Sequence, residues 1–534
     1  MIKIYYFYFL AFFFTSALCA QNIMPNFNLN RLGGLTYTDN LSGVWGYEKN
    51  GHKYAIVGTT QGYSIVDIEN PSQCQELNFT SKNANSAWAE VQVYGDYVYG
   101  VADATSSGIY IADLSDIENG NIIDTFVFPK VVYNNDTLIV NKGHTLFIDE
   151  NGILYINGTN ILGGATLIFD ISQPTAPLYL GSTPATTYVH DCYVRGDTLW
   201  TANIYEGNFK VYDIRNKSNP IYLAAQSTPS IYTHNMGISA NGQYLFTTDE
   251  RDISWMTAYD VSDLDNIIEL DKYRSRGEMY TPVVPHNVYI KDDYAILAHY
   301  TDGLVILDVS RPHNIVEVGY YSTYAGQELL FNGAWGAYPY YSDNTIIVGD
   351  IQTGLHVFQP NYQRAAWLEG IVYDSLTGAP IHDATIMFTD EVRLRDKTKL
   401  DGTYAMGKGK PGTYYFYIIK NGYFPKTIEV NLENGVLTTL DIALKPWGIG
   451  IDELAAPTFN IYPNPSQDIF ILEKGDMALD KNIKIDIYNT LGQLVQSEIF
   501  PAQATTLSIG ESLMTSGVYM LCPEQQPCQK IIKH

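Results

Sequence analysis

Four of the ten histidines in this 534-residue chain open short hydrophobic segments in consecutive parts of the sequence. They are His144, His190, His234 and His286. Neutral imidazole nitrogen, together with carboxylate oxygen, suits a divalent first-row metal ion. The same side chain can instead hydrogen-bond to a neighbouring structural unit. Because such a contact recurs by symmetry, whereas a metal needs three or four ligands, the repetition favours a structural role and leaves metal binding open.

Carboxylates and tryptophans are expected to lie beside these histidines, because the strand antiparallel to each His-bearing strand ends near the start of that strand. Tryptophan stacks on sugars but is more often simply buried. The residues therefore allow an organic or glycan ligand as well as a divalent metal, but they require no cofactor and include no predicted catalytic residue. The predicted ligand-binding set is His144, His190, His234, His286, Trp45, Trp335, Asp191, Asp249 and Glu250, with Asp103, Asn203, His299, Asp350 and the stretch 88–90 expected nearby.

The elements that position these residues belong to a repeat. The aspartates that end its strands are 43 to 57 residues apart, which is the period of one four-stranded propeller blade. One repeat cannot bury its own hydrophobic face, so the copies must pack side by side. We predict an all-β chain whose first domain, residues 21–362, is a seven-bladed β-propeller with the histidines at one mouth of its channel. Six strands end in Asp67, Asp113, Asp170, Asp213, Asp260 and Asp308, each followed by a branched residue, and a seventh has Gln359 in that place.

Two local features complete the predicted ring. The last repeat stops at Gln359-Pro360 without a fourth strand, and the segment that begins at Asn28 resembles one. We expect this N-terminal segment to close the last blade and so hide both open edges.

The repeated aspartate is expected to accept backbone N–H bonds in the following turn, since no calcium-binding loop pattern is present.

Motifs within the repeats resemble the choice-of-anchor B family, which is built from LVIVD repeats. The resemblance implies the propeller fold and a variable C-terminal anchor, and it implies no activity. The motifs that carry it are Trp45-Gly-Tyr47, His190-Asp191, Tyr232-Thr-His-Asn235, Thr248-Asp-Glu250, Pro285-His-Asn-Val-Tyr289, Gly303-Leu-Val-Ile-Leu-Asp308 and Gly333-Ala-Trp-Gly336.

A second, smaller β domain is predicted over residues 363–447. Its strands are separated by turns such as Asp401-Gly-Thr-Tyr404 and Pro411-Gly-Thr-Tyr414, a pattern typical of a small β-sandwich. These motifs resemble the carboxypeptidase regulatory-like domain, a transthyretin-like fold. The resemblance implies a non-catalytic appendage.

The final module, residues 458–534, follows a predicted linker at 448–457. It carries Phe459-Asn-Ile-Tyr462-Pro-Asn-Pro465, then Ile487-Tyr-Asn-Thr-Leu-Gly492, then Gly517-Val-Tyr-Met520. These blocks resemble the type A C-terminal sorting domain of the type IX secretion system. The resemblance implies that the secretion machinery is a partner and that the protein is either released or attached to the outer-membrane surface.

The N-terminal residues, the net charge and two C-terminal cysteines indicate where the protein is found and which partners are disfavoured. Residues 1–20 combine Lys3, an apolar run and small residues through Ala20, which predicts a secretory signal peptide. The formal charge of −25 disfavours nucleic acid and anionic membranes as partners, and no later segment has the roughly 20 apolar residues of a membrane span. Cys522 and Cys528 are spaced so that a disulfide is possible in an oxidising compartment, although free thiols remain an alternative.

The sequence favours a secreted or cell-surface binding protein, with a glycan or a protein as its ligand, over an enzyme. It contains no Gly-x-Ser-x-Gly elbow, no His-Glu-x-x-His and no phosphate-binding glycine loop. Propellers assemble sites from loops that are distant in sequence, so a metal-assisted hydrolase or lyase at the His-lined mouth remains the rival hypothesis.

Overall fold

The structure is a computed structural model. It describes residues 26–104, 106–275, 284–324, 326, 330–447, 459–474, 481–510, 515–524 and 528–534. The predicted signal peptide, 1–20, and the predicted linker, 448–457, lie outside the described residues. The described residues form β-strands joined by turns and loops, with three short 3-10 helices at Pro71–Gln73, Ile117–Asn119 and Leu162–Gly164.

Seven four-stranded sheets are formed by the described residues up to 360. Six of them use four strands that are consecutive in the chain, and we number these blades 1 to 6. Blade 1 consists of β2 Leu41–Lys49, β3 His52–Thr59, β4 Gly62–Asp67 and β5 Gln75–Ser81, and blade 2 of β6 Ala89–Tyr94, β7 Tyr97–Ala102, β8 Ile109–Asp116 and β9 Asn121–Val127. Blade 3 consists of β12 Thr145–Ile148, β13 Ile153–Asn157, β14 Leu167–Asp170 and β15 Leu178–Ser182, and blade 4 of β16 Asp191–Arg195, β17 Thr198–Asn203, β18 Asn208–Asp213 and β19 Ile221–Ser227. Blade 5 consists of β20 Thr233–Ile238, β21 Tyr244–Asp249, β22 Met256–Asp260 and β23 Ile268–Tyr273, and blade 6 of β24 Asn287–Lys291, β25 Tyr294–His299, β26 Gly303–Asp308 and β27 Val316–Tyr321.

Blade 7 combines both ends of the propeller sequence. Its strands are β28 Ala334–Tyr338, β29 Ile346–Asp350, β30 Gly354–Pro360 and the N-terminal β1 Leu29–Leu35. Strand β1 pairs antiparallel with β30, so that Leu29 faces Pro360 and Leu35 faces Leu355. The first described strand thus supplies the outer strand of the last blade. The innermost strands contact one another from blade to blade, and β28 contacts β2, which closes the ring.

The hydrophobic cores lie between adjacent blades, as expected of a repeat that cannot bury its own face. Residues of blades 1 and 2 share one such core, in which the rings of Tyr63 and Tyr110 stack at 4.4 Å between centroids. Blades 1 and 7 share another core, which includes Val57 and Val357. Burial therefore depends on the neighbouring copies, and the predicted all-β, seven-bladed architecture is confirmed.

The repeated aspartates at or near the ends of the third strands also act as predicted. The carboxylate of each one accepts a hydrogen bond from the backbone N–H two residues later, at 2.7 to 3.0 Å, and this fixes the turn toward the outer strand. In blade 7, Gln359 uses its side-chain amide differently and donates to the carbonyl of Asp343.

One propeller element was absent from the sequence-based prediction. A hairpin, β10 Lys130–Tyr133 and β11 Asp136–Ile139, lies in the chain between blades 2 and 3. Its turn residues Asn134 and Asn135 both have positive φ, as the favoured two-residue hairpin turn requires. The Asn-Asn pair was the available signal.

Residues 366–444 form two sheets around a core of their own. The first sheet has the order β34-β31-β37, with β38 also pairing with β31, and the second has the order β33-β32-β35-β36. Buried residues such as Leu368, Phe388 and Phe416 pack between them. The strands are β31 Ala366–Asp374, β32 Thr385–Phe388, β33 Glu391–Lys397, β34 Thr403–Lys408, β35 Gly412–Ile419, β36 Lys426–Leu432, β37 Leu437–Thr439 and β38 Ile442–Leu444.

Residues 459–533 form a further sandwich. Its sheets have the orders β39-β40-β43 and β42-β41-β44-β45, and Phe459, Ile485 and Phe500 are buried in its core. A disulfide joins Cys522 to Cys528, which decides the pairing that the sequence left open. The strands are β39 Phe459–Tyr462, β40 Phe470–Lys474, β41 Ile483–Asn489, β42 Leu494–Phe500, β43 Thr506–Ile509, β44 Gly517–Pro523 and β45 Gln529–Lys533.

Candidate functional site

The four repeated histidines form a continuous row at the start of the innermost strands of blades 3 to 6. Consecutive imidazole rings lie 4.2 to 4.3 Å apart between centroids, from His144 through His190 and His234 to His286. The row continues to the indole of Trp335 in blade 7, 4.6 Å from His286. Residues separated by more than 40 positions in sequence are thus brought into direct contact by ring closure.

Each of three histidines hydrogen-bonds to the next blade through Nδ1. Nδ1 of His190 lies 3.1 Å from the carbonyl oxygen of His234, and Nδ1 of His234 lies 3.2 Å from that of His286. His286 makes the same bond to the carbonyl of Trp335. A carbonyl oxygen only accepts, so each Nδ1 carries the hydrogen and donates. These three residues therefore have the structural role that the repetition favoured, which is hydrogen bonding to the next blade. Their Nε2 atoms take no part in these bonds.

His144 has different partners. Its Nδ1 lies 3.1 Å from the carboxylate of Asp103, which also contacts Lys142. The hydrogen bond from His144 is the main reason why the pKa of Asp103 is lowered to about 2, so this carboxylate is ionised at neutral pH. Nε2 of His144 lies 2.7 Å from Nε2 of His190.

The row of histidines borders a cavity of about 250 Å³, which we call the His cavity. Glu250 lines it, with carboxylate oxygens 3.7 Å from Nε2 of His234 and 3.8 Å from Nε2 of His286. The hydroxyl of Tyr300 donates to the same carboxylate at 2.6 Å. The lining residues are Trp88, Glu90, Asp103, His144, Thr145, Tyr188, His190, Ile204, Tyr205, Tyr232, His234, Glu250, His286, Asn287 and Trp335.

Three members of the predicted site do not line the His cavity. Trp45 and Asp191 line a second cavity of about 220 Å³, where Trp45 packs edge-on against Tyr338. Asp191 follows His190 directly, and successive side chains of a strand point to opposite faces. Its carboxylate accepts from the Asn235 amide at 2.7 Å.

Asp249 is the third predicted site residue that does not line the His cavity. It is buried outside both sets of described lining residues and accepts hydrogen bonds from the backbone N–H groups of Ser230 and Tyr232. The loop before β20 folds over the end of β21, so the carboxylate fixes that loop. Glu250, the next residue, is the one that reaches the cavity.

Several lining residues escaped the sequence-based prediction, chiefly Tyr188, Tyr205 and Tyr232. They lie in loops beside the innermost strands, where periodicity gives little information. Tyr188 and Tyr205 pack with centroids 5.0 Å apart. The available signal was the position of Tyr205, two residues after Asn203 at the end of β17.

The electrostatics of the cavity wall follow from burial. Burial lowers the pKa of His234 and of His286 to about 3, and lowers that of His190 well below its ordinary value, so all three are neutral at pH 7. Burial also raises the pKa of Glu90 to about 8, against the opposing hydrogen bond from the Trp335 indole N–H. The wall therefore presents neutral imidazoles and a protonated carboxyl at neutral pH.

Glu90→Gln is expected to stabilise the propeller increasingly as the pH rises. The folded pKa of Glu90 is about 8, whereas the unfolded chain ionises near about 4.3. The folded state then retains a proton that the unfolded state has released, so stability is lost between these values as the pH rises. Thermal melts should give equal Tm values at pH 4 and a gain of roughly 2 °C or more for the variant at pH 9. A gain that is the same at both pH values would contradict this.

Three family models match parts of the chain. Residues 460–534 match the secretion system C-terminal sorting domain, and residues 368–445 match the carboxypeptidase regulatory-like domain. Residues 51–78 and 285–323 match the LVIVD repeat. No curated protein matches the chain. Among solved structures, the crystal structure of the Cps50 (Swd1) β-propeller domain of Myceliophteria thermophila is 12% identical, with a TM-score of 0.43, covering 61% of this chain and 98% of that one.

Fold and matches together define an all-β protein of the exported class, a seven-bladed propeller followed by two β-sandwich domains. The chain carries LVIVD repeats, a carboxypeptidase regulatory-like domain and a type IX sorting domain, as predicted. The sorting domain implies export to the cell surface or beyond. Among the helices of the described residues, none is long and apolar enough to cross a membrane.

Proposed function

We propose that the exported protein binds a hydroxyl-rich ligand of the glycan class in the His cavity and performs no chemistry there. The observation that carries this proposal is a cavity whose polar wall is bordered by exposed aromatic rings. Side chains of Trp88 and Tyr205 are 50% and 74% exposed, although both line the cavity. An aromatic ring held half in solvent beside hydrogen-bonding groups suits stacking against a sugar.

The fixed geometry of the wall supports binding. Three imidazoles are held by hydrogen bonds to the next blade, and the backbone at Trp88 is pinned, because its carbonyl accepts from Asp103 N–H. Such a wall loses little conformational freedom when a ligand enters, which favours affinity. The domain boundaries that accompany this proposal are those expected from the sequence, with the propeller at 21–362 and the sandwiches at 363–447 and 458–534.

Binding of the mature full-length protein to an array of oligosaccharides tests this proposal. We expect selective binding that Trp88→Ala and Tyr205→Ala each weaken by roughly 5-fold, because a stacked ring contributes on the order of 1 kcal/mol. Tyr222→Ala is the matched control, since Tyr222 is also exposed but lies on the outer strand β19. Equal binding by all variants, or no binding to any sugar, would overturn the proposal.

A metal-assisted hydrolase or lyase is the second candidate function. The observation that favours it is Glu90, whose pKa of about 8 lies near the working range of a general acid, in the same cavity as the neutral imidazoles. Conversion of a bound oligosaccharide to products, lost in Glu90→Gln, would favour the enzyme. Stable binding without turnover would favour the binding protein.

A further inference from the structure

We infer that the His cavity binds one divalent first-row transition metal ion through Nε2 of His190, Nε2 of His234 and the carboxylate of Glu250. This inference rests on the proposed function, because it assigns chemistry to the same cavity. The ligating atoms of these three residues lie within 4.8 Å of one another. They come from blades 4 and 5, so only the assembled ring brings them together.

The tautomers of the two histidines leave the right atoms available. Nδ1 of each is 3.1 or 3.2 Å from a carbonyl oxygen of the next blade and must donate to it. A neutral imidazole with hydrogen on Nδ1 carries its lone pair on Nε2. The lone pair of His234 is therefore available for coordination, and that of His190 becomes available once its 2.7 Å contact with Nε2 of His144 is broken.

The same hydrogen bonds form the outer layer of a metal site. Histidines that bind metals regularly donate the other ring N–H to a backbone carbonyl or a carboxylate, which fixes ring orientation. His190 and His234 do so toward blades 5 and 6. The carboxylate of Glu250 is held in turn by the Tyr300 hydroxyl at 2.6 Å. The hydrogen bonds that join the blades thus also orient the proposed ligands.

His144 closes one end of the row. Its Nδ1 lies 3.1 Å from the carboxylate of Asp103, and its Nε2 lies 2.7 Å from Nε2 of His190. The ring of His144 must therefore move aside when a metal ion takes the lone pair of His190.

The set of donor atoms selects the kind of ion. Two imidazole nitrogens and one carboxylate oxygen suit zinc, iron, cobalt or nickel, whereas calcium and magnesium take oxygen ligands. Ligand atoms about 2.1 Å from a tetrahedral metal lie roughly 3.4 Å apart, close to the 3.7 Å between Glu250 and His234 Nε2. Nε2 of His286, 3.8 Å from the Glu250 carboxylate, or a ligand oxygen from the cavity would occupy the fourth position.

The test is metal analysis and calorimetric titration of the mature full-length protein, purified without a histidine tag and stripped with a chelator. We expect one equivalent of zinc to bind, and a cobalt-loaded sample to show the visible absorption of a coordinated ion. Glu250→Gln should weaken zinc binding by at least roughly 10-fold. Its side-chain carbonyl can still accept the hydrogen bond from Tyr300, and the Nδ1 bonds between blades are untouched, so loss of folding should not intervene. His190→Ala and His234→Ala should also lose the metal.

The matched control is His52→Ala, since His52 is partly exposed and pairs with Asp67 outside the cavity. It should bind zinc like the parent protein. Absence of stoichiometric zinc, or equal zinc affinity in Glu250→Gln, would overturn the inference. If the metal-free protein still binds sugar, the proposed function stands although the metal inference fails. If the protein binds zinc but no sugar, the metal inference stands and the proposed function fails.

Discussion

Deletion of residues 458–534 is expected to leave the protein in the periplasm instead of at the cell surface or in the medium. The deleted segment contains the residues that match the sorting domain, and it folds around buried side chains of its own, such as Phe470, Ile487 and Leu521. The described cores of the propeller and of the middle sandwich are built from residues before 445. Export should therefore fail while the remaining domains stay folded.

Fractionation of cultures, followed by detection of the propeller in each fraction, measures this effect. A point variant gives a sharper test than the deletion. Ile485 is buried in the core of the sorting domain, so Ile485→Asp should unfold that domain and block export. Ile499→Thr is the control, because Ile499 is 52% exposed and lies outside the sequence blocks typical of the sorting domain, so its replacement should leave export unchanged. Normal export of the deletion variant would remove the sorting role.

Removal of residues 21–36 is expected to abolish cooperative folding of the propeller. Strand β1 pairs with β30 over six residue positions, and its loss leaves that edge open to other chains. With about 1 kcal/mol for each lost hydrogen bond, the cost is roughly 5 kcal/mol, comparable with the whole stability of many domains. A peptide of residues 26–36 added in trans should restore part of the melting transition.

A single glycine provides a matched pair of variants for the same strand. A Cβ atom on Gly33 would lie 1.8 Å from the carbonyl oxygen of Pro71, in the 3-10 turn of blade 1. Gly33→Val should therefore displace β1 and lower Tm strongly, whereas Leu32→Ser, at a neighbouring position that is 38% exposed, should have little effect. A deletion variant that melts like the parent protein would show that ring closure does not need this strand.

Much of the architecture was predictable because it depends on local patterns. The spacing of Asp67 and its equivalents gave the period of the blades, and the missing fourth strand of the last repeat directed attention to the segment at Asn28. The turn role of these aspartates also follows from one residue and its near neighbours. The hairpin at 130–139 was missed because it interrupts the repeat instead of belonging to it.

The candidate site was predictable only in part. Four histidines, Trp335 and Glu250 line one cavity, but Trp45 and Asp191 line another and Asp249 fixes a loop. A one-residue difference along a strand moves a side chain to the opposite face, and bulges shift that count in blades 1, 5 and 7. The face of the sheet on which a side chain lies therefore depends on the strand register, and the repeat pattern does not specify that register.

By itself, the sequence determined the number of blades, the turns that end their third strands and the two modules that follow, since each depends on local periodicity or a contiguous motif. Only the tertiary structure decided which ring nitrogens face the His cavity. The hydrogen on Nδ1 of His190 is placed by a carbonyl 44 residues away on another blade, and that of His234 by one 52 residues away. Such partners meet only when the ring closes, so the chemistry of the site is a property of the assembled propeller.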